Sequence, residues 1–377
     1  MAIDKKSSLQ VIKNSNKNMI LKLIHKNKCI TRAELKRITG LATTTVSTLV
    51  DELITEGIVK ETGVYDTGGI GRKAVAIEIN PGGKYFAGVE IESDFTFVDI
   101  YDLCFNLVCR DKTETGDYIK TKDFIIDCLK NGEKKLNSKI HSVSIGVSGI
   151  VDPKTSKILL STVVDIEDEN FVFDIQSEFP DAFVYLLNSS GLIAFAEKEQ
   201  RDVMDLVTVD IGKGVGSGII IDGQIYTGAG GTAGEFGHIS VDMNGEKCKC
   251  GNRGCTEIYT NTHTIRRKAA TILGVEKVTL KEVKELAENG NAEICNLLNE
   301  VSGILAVALI GLFNMMAPES VVISGKIKEL GNAFLVPLIN AVSDKCSLKT
   351  TQIEFSSVDG NPVTLGGAKL AFAKMLK

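Results

Sequence analysis

The sequence has little that resembles a membrane-targeting or membrane-spanning segment. Residues 1–17 carry charges but no apolar core, so they do not resemble a signal peptide. The longest apolar run, residues 301–318, is short for a membrane span, contains Ser302 and Asn314, and leads into the strand-like sequence ESVVISG. We therefore expect a buried helix in a cytoplasmic protein without a membrane partner. In that compartment cysteines stay reduced, which favours metal binding over disulfides.

Histidine is also scarce, with four residues in 377, yet one lies near a cluster of cysteines in GHISVDMNGEKCKCGNRGCTE. Loop 238–255 offers one nitrogen and three sulfurs, the ligand set of a tetrahedral zinc site: His238, Cys248, Cys250 and Cys255. Because four protein ligands leave no position for a reactive water, the expected Zn2+ is structural. Glycines 245, 251 and 254 would let the backbone fold around an ion. The alternative is a set of buried free thiols beside a hydrogen-bonded histidine.

Length and charge divide the chain. At 377 residues it is too long for one ordinary core, so two or three domains are expected. The net charge is −5, but residues 1–80 hold 13 basic against 8 acidic residues, and the remainder holds 30 against 40. A basic head on an acidic body suggests that only the head meets a polyanion.

The first eighty residues have the pattern of a winged helix-turn-helix domain. Apolar residues in 16–27 share one helix face, and Thr31 with Glu34 has the spacing of a capping box. The second helix should end near Gly40, and a third should run from Thr43 to a stop at Gly57. A hairpin with a glycine-rich tip follows, and NPGG at 80–83 marks the domain boundary.

The third helix begins with small hydroxyl side chains that can approach the major groove of double-stranded DNA. The hairpin tip carries two cations suited to a narrow minor groove. We expect the DNA contacts to come from Arg32, Thr43, Thr44, Thr45, Ser47, Thr48, Arg72 and Lys73. The alternative is a small helical domain whose polar face contacts another protein.

From residue 84 onward strands and helices alternate, which indicates an α/β body. Residues 84–110 look like three successive strands, and VYLLNSSGLIAFAEKEQ looks like a strand, a loop and a helix. The glycine run GKGVGSG lacks the Lys-Ser/Thr of a Walker loop and the βαβ context of a dinucleotide site. A glycine-rich hairpin therefore competes with a phosphate-binding loop.

Over essentially all its length the chain resembles the ROK family of repressors, open reading frames and sugar kinases. GTAGEFGHISVDMNGEKCKCGNRGCTE is similar to the sugar-and-zinc signature of that family, and the repressor branch carries the N-terminal DNA-binding domain. The resemblance implies an actin-like (ribonuclease H-like) body of two α/β lobes over residues 84–377, with sugar bound between the lobes. It also implies that sugar hydroxyls are contacted by Asn188, Glu235, His238 and Glu257.

The chain departs from the family's kinases where their chemistry occurs. They carry an Asn-Asp pair whose aspartate removes a proton from the sugar, and here LLNSSG has Ser189 at that position. EIESDFT, with Glu92 and Asp94, stands where kinases have their first phosphate loop, and Lys213 replaces the usual threonine of the second. A serine is a poor base near neutral pH, and the two acids would repel ATP phosphates, so catalysis is not expected.

These features together predict a sugar-responsive transcriptional regulator. We expect a repressor that leaves operator DNA when it binds a small carbohydrate, either a sugar or a sugar phosphate, and that acts as a homodimer or homotetramer. One rival is an active ATP-dependent sugar kinase with a DNA-binding head. The other is a DNA-binding protein that is regulated by a partner protein instead of a sugar.

Overall fold

The computed structural model describes residues 5–65, 74–152, 154–161, 171–345 and 351–376. The chain forms two compact units. The first unit comprises Met1–Ile145, Val164–Tyr185 and Gly367–Lys377, and the second comprises Gly146–Val163 and Leu186–Gly366.

The head, within the first unit, consists of three helices and a small sheet. Its elements are α1 (Lys5–Asn27), β1 (Cys29–Thr31), α2 (Arg32–Thr39), α3 (Thr43–Thr55), β2 (Val59–Tyr65) and β3 (Ala74–Ile79). The strands are antiparallel in the order β1-β3-β2. The predicted hairpin is confirmed, whereas the short strand β1, which joins β3, was not foreseen from the sequence. The hairpin tip with Arg72 and Lys73 lies outside the described residues.

The helix boundaries in the head that were predicted from short-range sequence patterns are present in the structure. The hydroxyl of Thr31 accepts the N–H of Glu34, and the Glu34 carboxylate accepts the N–H of Thr31, which completes the capping box. Gly40 ends α2 at φ +70°, a left-handed conformation that favours glycine. Helix α3 begins at Thr43 as predicted, and its apolar face is buried against α1 and α2.

The next elements form a five-stranded sheet in the order β10-β7-β4-β5-β6 and a separate small hairpin, β8-β9. They are β4 (Tyr85–Ile91), β5 (Phe95–Tyr101), β6 (Leu107–Glu114), α4 (Tyr118–Leu136), β7 (Ile140–Val147), β8 (Ile150–Asp152), β9 (Lys157–Leu160), α5 (Phe171–Glu178) and β10 (Phe183–Asn188). Strands β4, β5 and β6 are an antiparallel meander, which confirms the three successive strands expected from the sequence.

Most of the remaining elements build the second unit around a sheet in the order β13-β12-β11-β14-β15, and the last helix passes from the second unit into the first at Gly367. They are α6 (Ser189–Arg201), β11 (Leu206–Ile211), β12 (Val215–Ile221), β13 (Gln224–Ile225), α7 (Thr256–Thr260), α8 (Thr262–Leu273), α9 (Leu280–Glu288), α10 (Ala292–Met316), β14 (Ser320–Ser324), α11 (Asn332–Ser343), β15 (Gln352–Phe355) and α12 (Pro362–Met375). Strand β11 pairs antiparallel with β12 and parallel with β14. Short 3-10 helices occur at Pro81–Gly83, Phe236–His238 and Lys326–Leu330.

Helix α10 contains the longest apolar run and is long and apolar enough to cross a membrane by composition alone, with a mean hydropathy of 1.7 over its most apolar window. Half of that window is buried within the protein. Leu305, Leu309 and Phe313 belong to one hydrophobic cluster with Val209 and Ile323 of the sheet. The helix therefore supplies the core of the second unit, as the sequence predicted.

The opposite face of this sheet receives α6 at close range. A Cβ atom on Gly218 would lie 1.9 Å from the carbonyl oxygen of Ser190, and one on Gly216 would lie 2.6 Å from the Ser190 hydroxyl. Glycines in GKGVGSG thus allow a helix to pack on β12, in agreement with the hairpin alternative. The expected loop before α6 is wrong, because β10 ends at Asn188 and α6 begins at Ser189.

Candidate metal centre, sugar site and DNA-reading surface

The four predicted metal ligands converge in the second unit. One ligand atom from each of His238, Cys248, Cys250 and Cys255 lies within 4.8 Å of the other three. Nδ1 of His238 is 3.7 Å from Sγ of Cys248, and Sγ of Cys250 is 3.6 Å from Sγ of Cys255. Sulfur atoms bonded to one tetrahedral zinc at about 2.3 Å lie about 3.8 Å apart, so these spacings fit a single ion.

Local backbone geometry brings the ligands together. Cys248 N–H donates to the carbonyl of Asn252 at 2.7 Å, and Gly251 N–H donates to the carbonyl of Cys248 at 3.0 Å, which closes a tight turn around Cys250. A Cβ on Gly254 would lie 1.8 Å from the carbonyl oxygen of Asp242, so only glycine fits there. The residues and their spacing fit a metal ion held by one nitrogen and three sulfurs.

Burial and charge also distinguish the cluster from a set of core thiols. Cys248 and Cys255 are buried, but Cys250 is exposed and His238 is half-buried, a distribution that free core cysteines do not explain. Burial raises the pKa of Cys255 to about 12, whereas the hydrogen bond from the Asn252 N–H lowers the pKa of Cys250. A bound divalent cation would stabilise all three groups as thiolates.

Glu235 and His238 present their side chains together at the candidate metal centre. Glu235 precedes the 3-10 helix that carries His238, and its Oε2 lies 3.8 Å from Nε2 of His238. The Glu235 side chain is 46% exposed and the His238 side chain 34%. A metal on Nδ1 would leave Nε2 directed toward Glu235, so the pair could bind a hydroxyl-rich ligand without giving up the metal.

Glu257 occupies the first turn of α7, two residues after the last cysteine. Its Oε2 accepts the N–H of Val215 at 2.9 Å and lies 3.0 Å from where a Cβ of Gly214 would stand. The carboxylate therefore supports the turn between β11 and β12, which carries exposed Lys213. This backbone partner was missed because nothing in the sequence reports a contact across 42 residues.

Asn188 is committed to local structure at the junction of β10 and α6. Its Oδ1 accepts the N–H of Ser190 at 2.7 Å, which caps the helix, and its Nδ2 donates to the carbonyl of Gly149 at 2.6 Å. Since α6 also packs on Gly216, the turn at 212–216 touches both the start of this helix and Glu257.

Ser189, which is predicted to occupy the kinase-base position, does not present its hydroxyl to solvent. The residue is 7% exposed, and its Oγ has no hydrogen-bond partner among the described residues. The Oγ lies 3.2 Å from the position that a Cβ of Gly146 would take, so it faces packed interior. Within the part of the chain that the structure describes, no group is hydrogen-bonded to this oxygen to accept its proton.

Glu92 and Asp94 lie in the exposed turn between β4 and β5 of the first unit. The turn is held by Glu92 N–H, which donates to the carbonyl of Phe95, and by Thr115 N–H, which donates to the carbonyl of Asp94. A turn that carries two carboxylates opposes the approach of phosphate groups.

Most of the predicted DNA contacts lie at the start of α3 in the head. Thr43, Thr44 and Thr48 are exposed, and Thr45 and Ser47 are half-buried. Arg32 at the start of α2 is engaged by acids: Nη2 lies 2.7 Å from Oδ1 of Asp51, and Nη1 pairs with Glu61. The predicted hydroxyl row is therefore available to a groove, whereas Arg32 already has protein partners.

The fold and these sites define an α/β protein with a winged helix-turn-helix head. In its body, a cysteine- and glycine-rich loop supports acidic and imidazole side chains. The chain belongs to the ROK family, whose sequence model matches residues 82–372. A model described as winged helix-turn-helix DNA-binding matches residues 13–60.

The chain is similar to proteins of both branches of that family. A xylose repressor from Caldicellulosiruptor bescii is 28% identical over 97% of each chain. A ROK family transcriptional regulator described as a homologue of the Escherichia coli MLC protein superposes with a TM-score of 0.82, with 22% identity over 97% of each chain. A ROK family glucokinase from Streptomyces griseus, solved with glucose and AMPPNP, gives a TM-score of 0.65 with 22% identity, over 76% of this chain and 98% of that one.

Proposed function

We propose that the protein is a sugar-responsive transcriptional repressor that has lost kinase activity. One contrast carries the proposal: Glu235 is exposed beside the half-buried His238, whereas Ser189 at the kinase-base position has a buried hydroxyl without a hydrogen-bond partner among the described residues. A site that retains its binding groups but not its base can sense a sugar and cannot activate it.

The head, residues 1–80, binds double-stranded operator DNA. Helix α3 enters the major groove with its exposed hydroxyl side chains, which contact phosphates and base edges. The contacts are assigned to Thr43, Thr44, Thr45, Ser47 and Thr48, with Arg72 and Lys73 of the wing tip reaching the minor groove.

The body, residues 84–377, binds the carbohydrate effector. Glu235, His238 and Glu257 form hydrogen bonds with sugar hydroxyls. Asn188, which immediately precedes α6, is the fourth residue assigned to the sugar. His238, Cys248, Cys250 and Cys255 of loop 238–255 would hold a structural zinc, and ligation through Nδ1 would orient His238 and leave its Nε2 for the effector. Hydroxyl recognition by carboxylates suits a free sugar and the sugar part of a sugar phosphate alike.

Phosphoryl transfer is opposed at more than one position. Ser189 supplies no base, and Glu92 and Asp94 add negative charge to a turn where family kinases bind phosphate. Lys213 differs from the threonine usual in the second loop. Since catalysis of phosphoryl transfer depends on placement of the phosphates, these changes act together.

Regulation follows from differential affinity. The sugar binds one conformation of the body more tightly and thereby lowers the population of the conformation that fits the operator. A homodimer or homotetramer in the cytoplasm accounts for recognition of two-fold related half-sites, because each head reads one half-site.

The test begins with operator sequences selected by the full-length protein from random DNA duplexes. Thermal unfolding is then measured with a panel of sugars and sugar phosphates, with and without the selected duplex. We expect one carbohydrate to raise the unfolding temperature of the free protein and to weaken the DNA complex. If no duplex is enriched, or if no carbohydrate changes DNA affinity, the proposal is wrong.

The second candidate is a sugar kinase with a DNA-binding head, which the structural similarity to a ROK glucokinase favours. It requires sugar-dependent ATP turnover by the wild-type protein. The same carbohydrate panel, assayed for ADP release, distinguishes it from the repressor.

A further inference from the structure

Arg32 lies at the start of α2 and contacts both the recognition helix α3 and the wing strand β2. It is the first residue of α2 and follows the capping-box residue Thr31, which ends strand β1. Thr31 is also in register with Ala76 of the wing strand β3. The backbone from which the Arg32 side chain extends is therefore held by a helix cap and a sheet at once.

The Arg32 guanidinium connects the recognition helix to the wing. Its Nη2 lies 2.7 Å from Oδ1 of Asp51, which is on the third turn of α3, and its Nη1 is hydrogen-bonded to Oε1 of Glu61 on β2. The Arg32 side chain is 26% exposed, less than either acid at 64% and 44%. One planar group with fixed N–H directions can orient two carboxylates at once, which a lysine does not do.

These partners make Arg32 a poor phosphate ligand. A phosphate that approached the guanidinium would meet two carboxylates already bound to it, and their summed charge exceeds that of the arginine. Burial lowers the pKa of Arg32, but hydrogen bonds with Glu61 and Asp51 outweigh that effect and hold the pKa above its ordinary value. The group thus stays charged and paired.

We infer that Arg32 is a positioning residue, which fixes α3 relative to β2 through Asp51 and Glu61 and makes no contact with the DNA backbone. The inference rests on the proposed DNA binding. It also gives Asp51 and Glu61 a favourable role in operator recognition, although both are acids close to a polyanion. Exposed ion pairs contribute little to folding stability, so their main effect is on the alignment of helix and wing.

Arg32 could position α3 and β2 or could bind a DNA phosphate, and these two roles predict opposite effects on DNA affinity when Asp51 or Glu61 is neutralised. If Arg32 only aligns α3 and β2, then Asp51→Asn, Glu61→Gln and Arg32→Gln each weaken operator binding by about three- to tenfold, the range that loss of roughly 1 kcal/mol of alignment gives. Affinity for non-specific duplex stays unchanged. The double variant Arg32→Gln with Asp51→Asn is no weaker than Arg32→Gln alone, because both changes break the same contact.

If Arg32 instead binds phosphate, removing the acids frees it and tightens binding to any duplex. Arg32→Gln then also reduces the slope of log K against log salt by about 0.9, the value for one lost phosphate contact. Arg37→Gln is the matched control, since Arg37 is an exposed cation on the same helix.

The experiment measures affinity by fluorescence anisotropy across a salt series, with an operator selected by the wild-type protein and a scrambled duplex. Thermal unfolding of each variant checks that the head stays folded. Tighter binding by Asp51→Asn, a shallower salt slope for Arg32→Gln, or no effect of any variant would each overturn the inference. Failure of the wild-type protein to select an operator would instead count against the proposed function.

Discussion

Oε2 of Glu235 lies 3.8 Å from Nε2 of His238, on the opposite side of the imidazole from the nitrogen that faces Sγ of Cys248. One ring therefore joins the candidate metal centre to the candidate sugar site. An ion bound at Nδ1 would fix the tautomer and the orientation of the ring, and so would determine where Nε2 points. Metal content and sugar response should consequently be lost together.

The zinc prediction is tested with Cys250→Ser. The wild-type protein purified without chelator should contain about one zinc per chain by elemental analysis, because four ligands fill a tetrahedral site. The variant should lose the metal and at least tenfold in sugar affinity, since His238 loses its support. Cys104→Ser is the control, because Cys104 is an exposed cysteine of the first unit and is not among the four ligands. Zinc-free wild-type protein with a full sugar response would refute the coupling.

Sequence preference should change when the recognition helix is altered at its start. Thr44→Val removes one exposed hydroxyl of α3, and we expect an altered base preference at one or two operator positions, worth about 1–3 kcal/mol per base pair. Selection from random duplexes measures the change. Thr55→Ala, in the last turn of the same helix, should leave the preference unaltered. An unchanged motif for Thr44→Val would remove this threonine from the interface.

The wing tip should contribute charge rather than sequence preference. Arg72→Ala should weaken binding to all duplexes and reduce the slope of log K against log salt by about 0.9, as expected for the loss of one cation from the DNA backbone or the minor groove. Affinity measured at several salt concentrations gives this slope. Deletion of residues 1–80 should abolish operator binding, and a truncated protein that still binds would exclude the head as the DNA-binding domain.

Restoring the kinase base should not restore a kinase. Ser189→Asp places a carboxylate at the position of the family base, but Glu92, Asp94 and Lys213 still disfavour productive phosphate binding. We expect no sugar-dependent ADP release from the wild type or from the variant, whereas sugar affinity can change. Turnover by the wild type at roughly 1 per second, an ordinary enzyme rate, would establish the kinase instead.

His141 should make the first unit less stable in mild acid. It lies on β7 between the rings of Phe86 and Phe183, with Nδ1 3.4 Å from Nζ of Lys84. Burial, and secondarily the charge of Lys84, lowers the pKa of His141 from 6.5 to about 4. The unfolded chain therefore takes up this proton before the folded protein does, so stability present above pH 6.5 decreases as the pH falls toward 4.

The variant His141→Phe removes the titrating group and retains a ring. Between pH 7 and pH 4.5 the unfolding free energy of both proteins should fall, but the fall should be smaller in the variant. The difference should be about 1–2 kcal/mol, after allowance for the partial exposure of His141. Denaturant unfolding at the two pH values gives the comparison. An identical pH dependence in both proteins would show that His141 is not responsible.

Part of this protein could be predicted because the determining interactions are short-range. The capping box of Thr31 and Glu34 and the glycine stop at Gly40 depend on neighbours within a few residues, and the structure has both. The cysteine spacing in loop 238–255 similarly allows a tight turn to bring three sulfurs together, and the fourth ligand lies only ten residues away. Family resemblance supplied the rest of the fold, because its motifs extend through the whole chain.

What the tertiary structure alone decided is where individual side chains point. Sequence patterns present Arg32 as a free cation, whereas Asp51 and Glu61, 19 and 29 residues away, neutralise it. Patterns present Ser189 as a substituted catalytic group, whereas packing against Gly146 turns its hydroxyl inward. Glu257 likewise finds the N–H of Val215 only when α7 and β12 meet. Residue type and spacing determine which chemistry is possible, but the direction of a side chain depends on atoms that are distant in sequence, and only folding brings those atoms together.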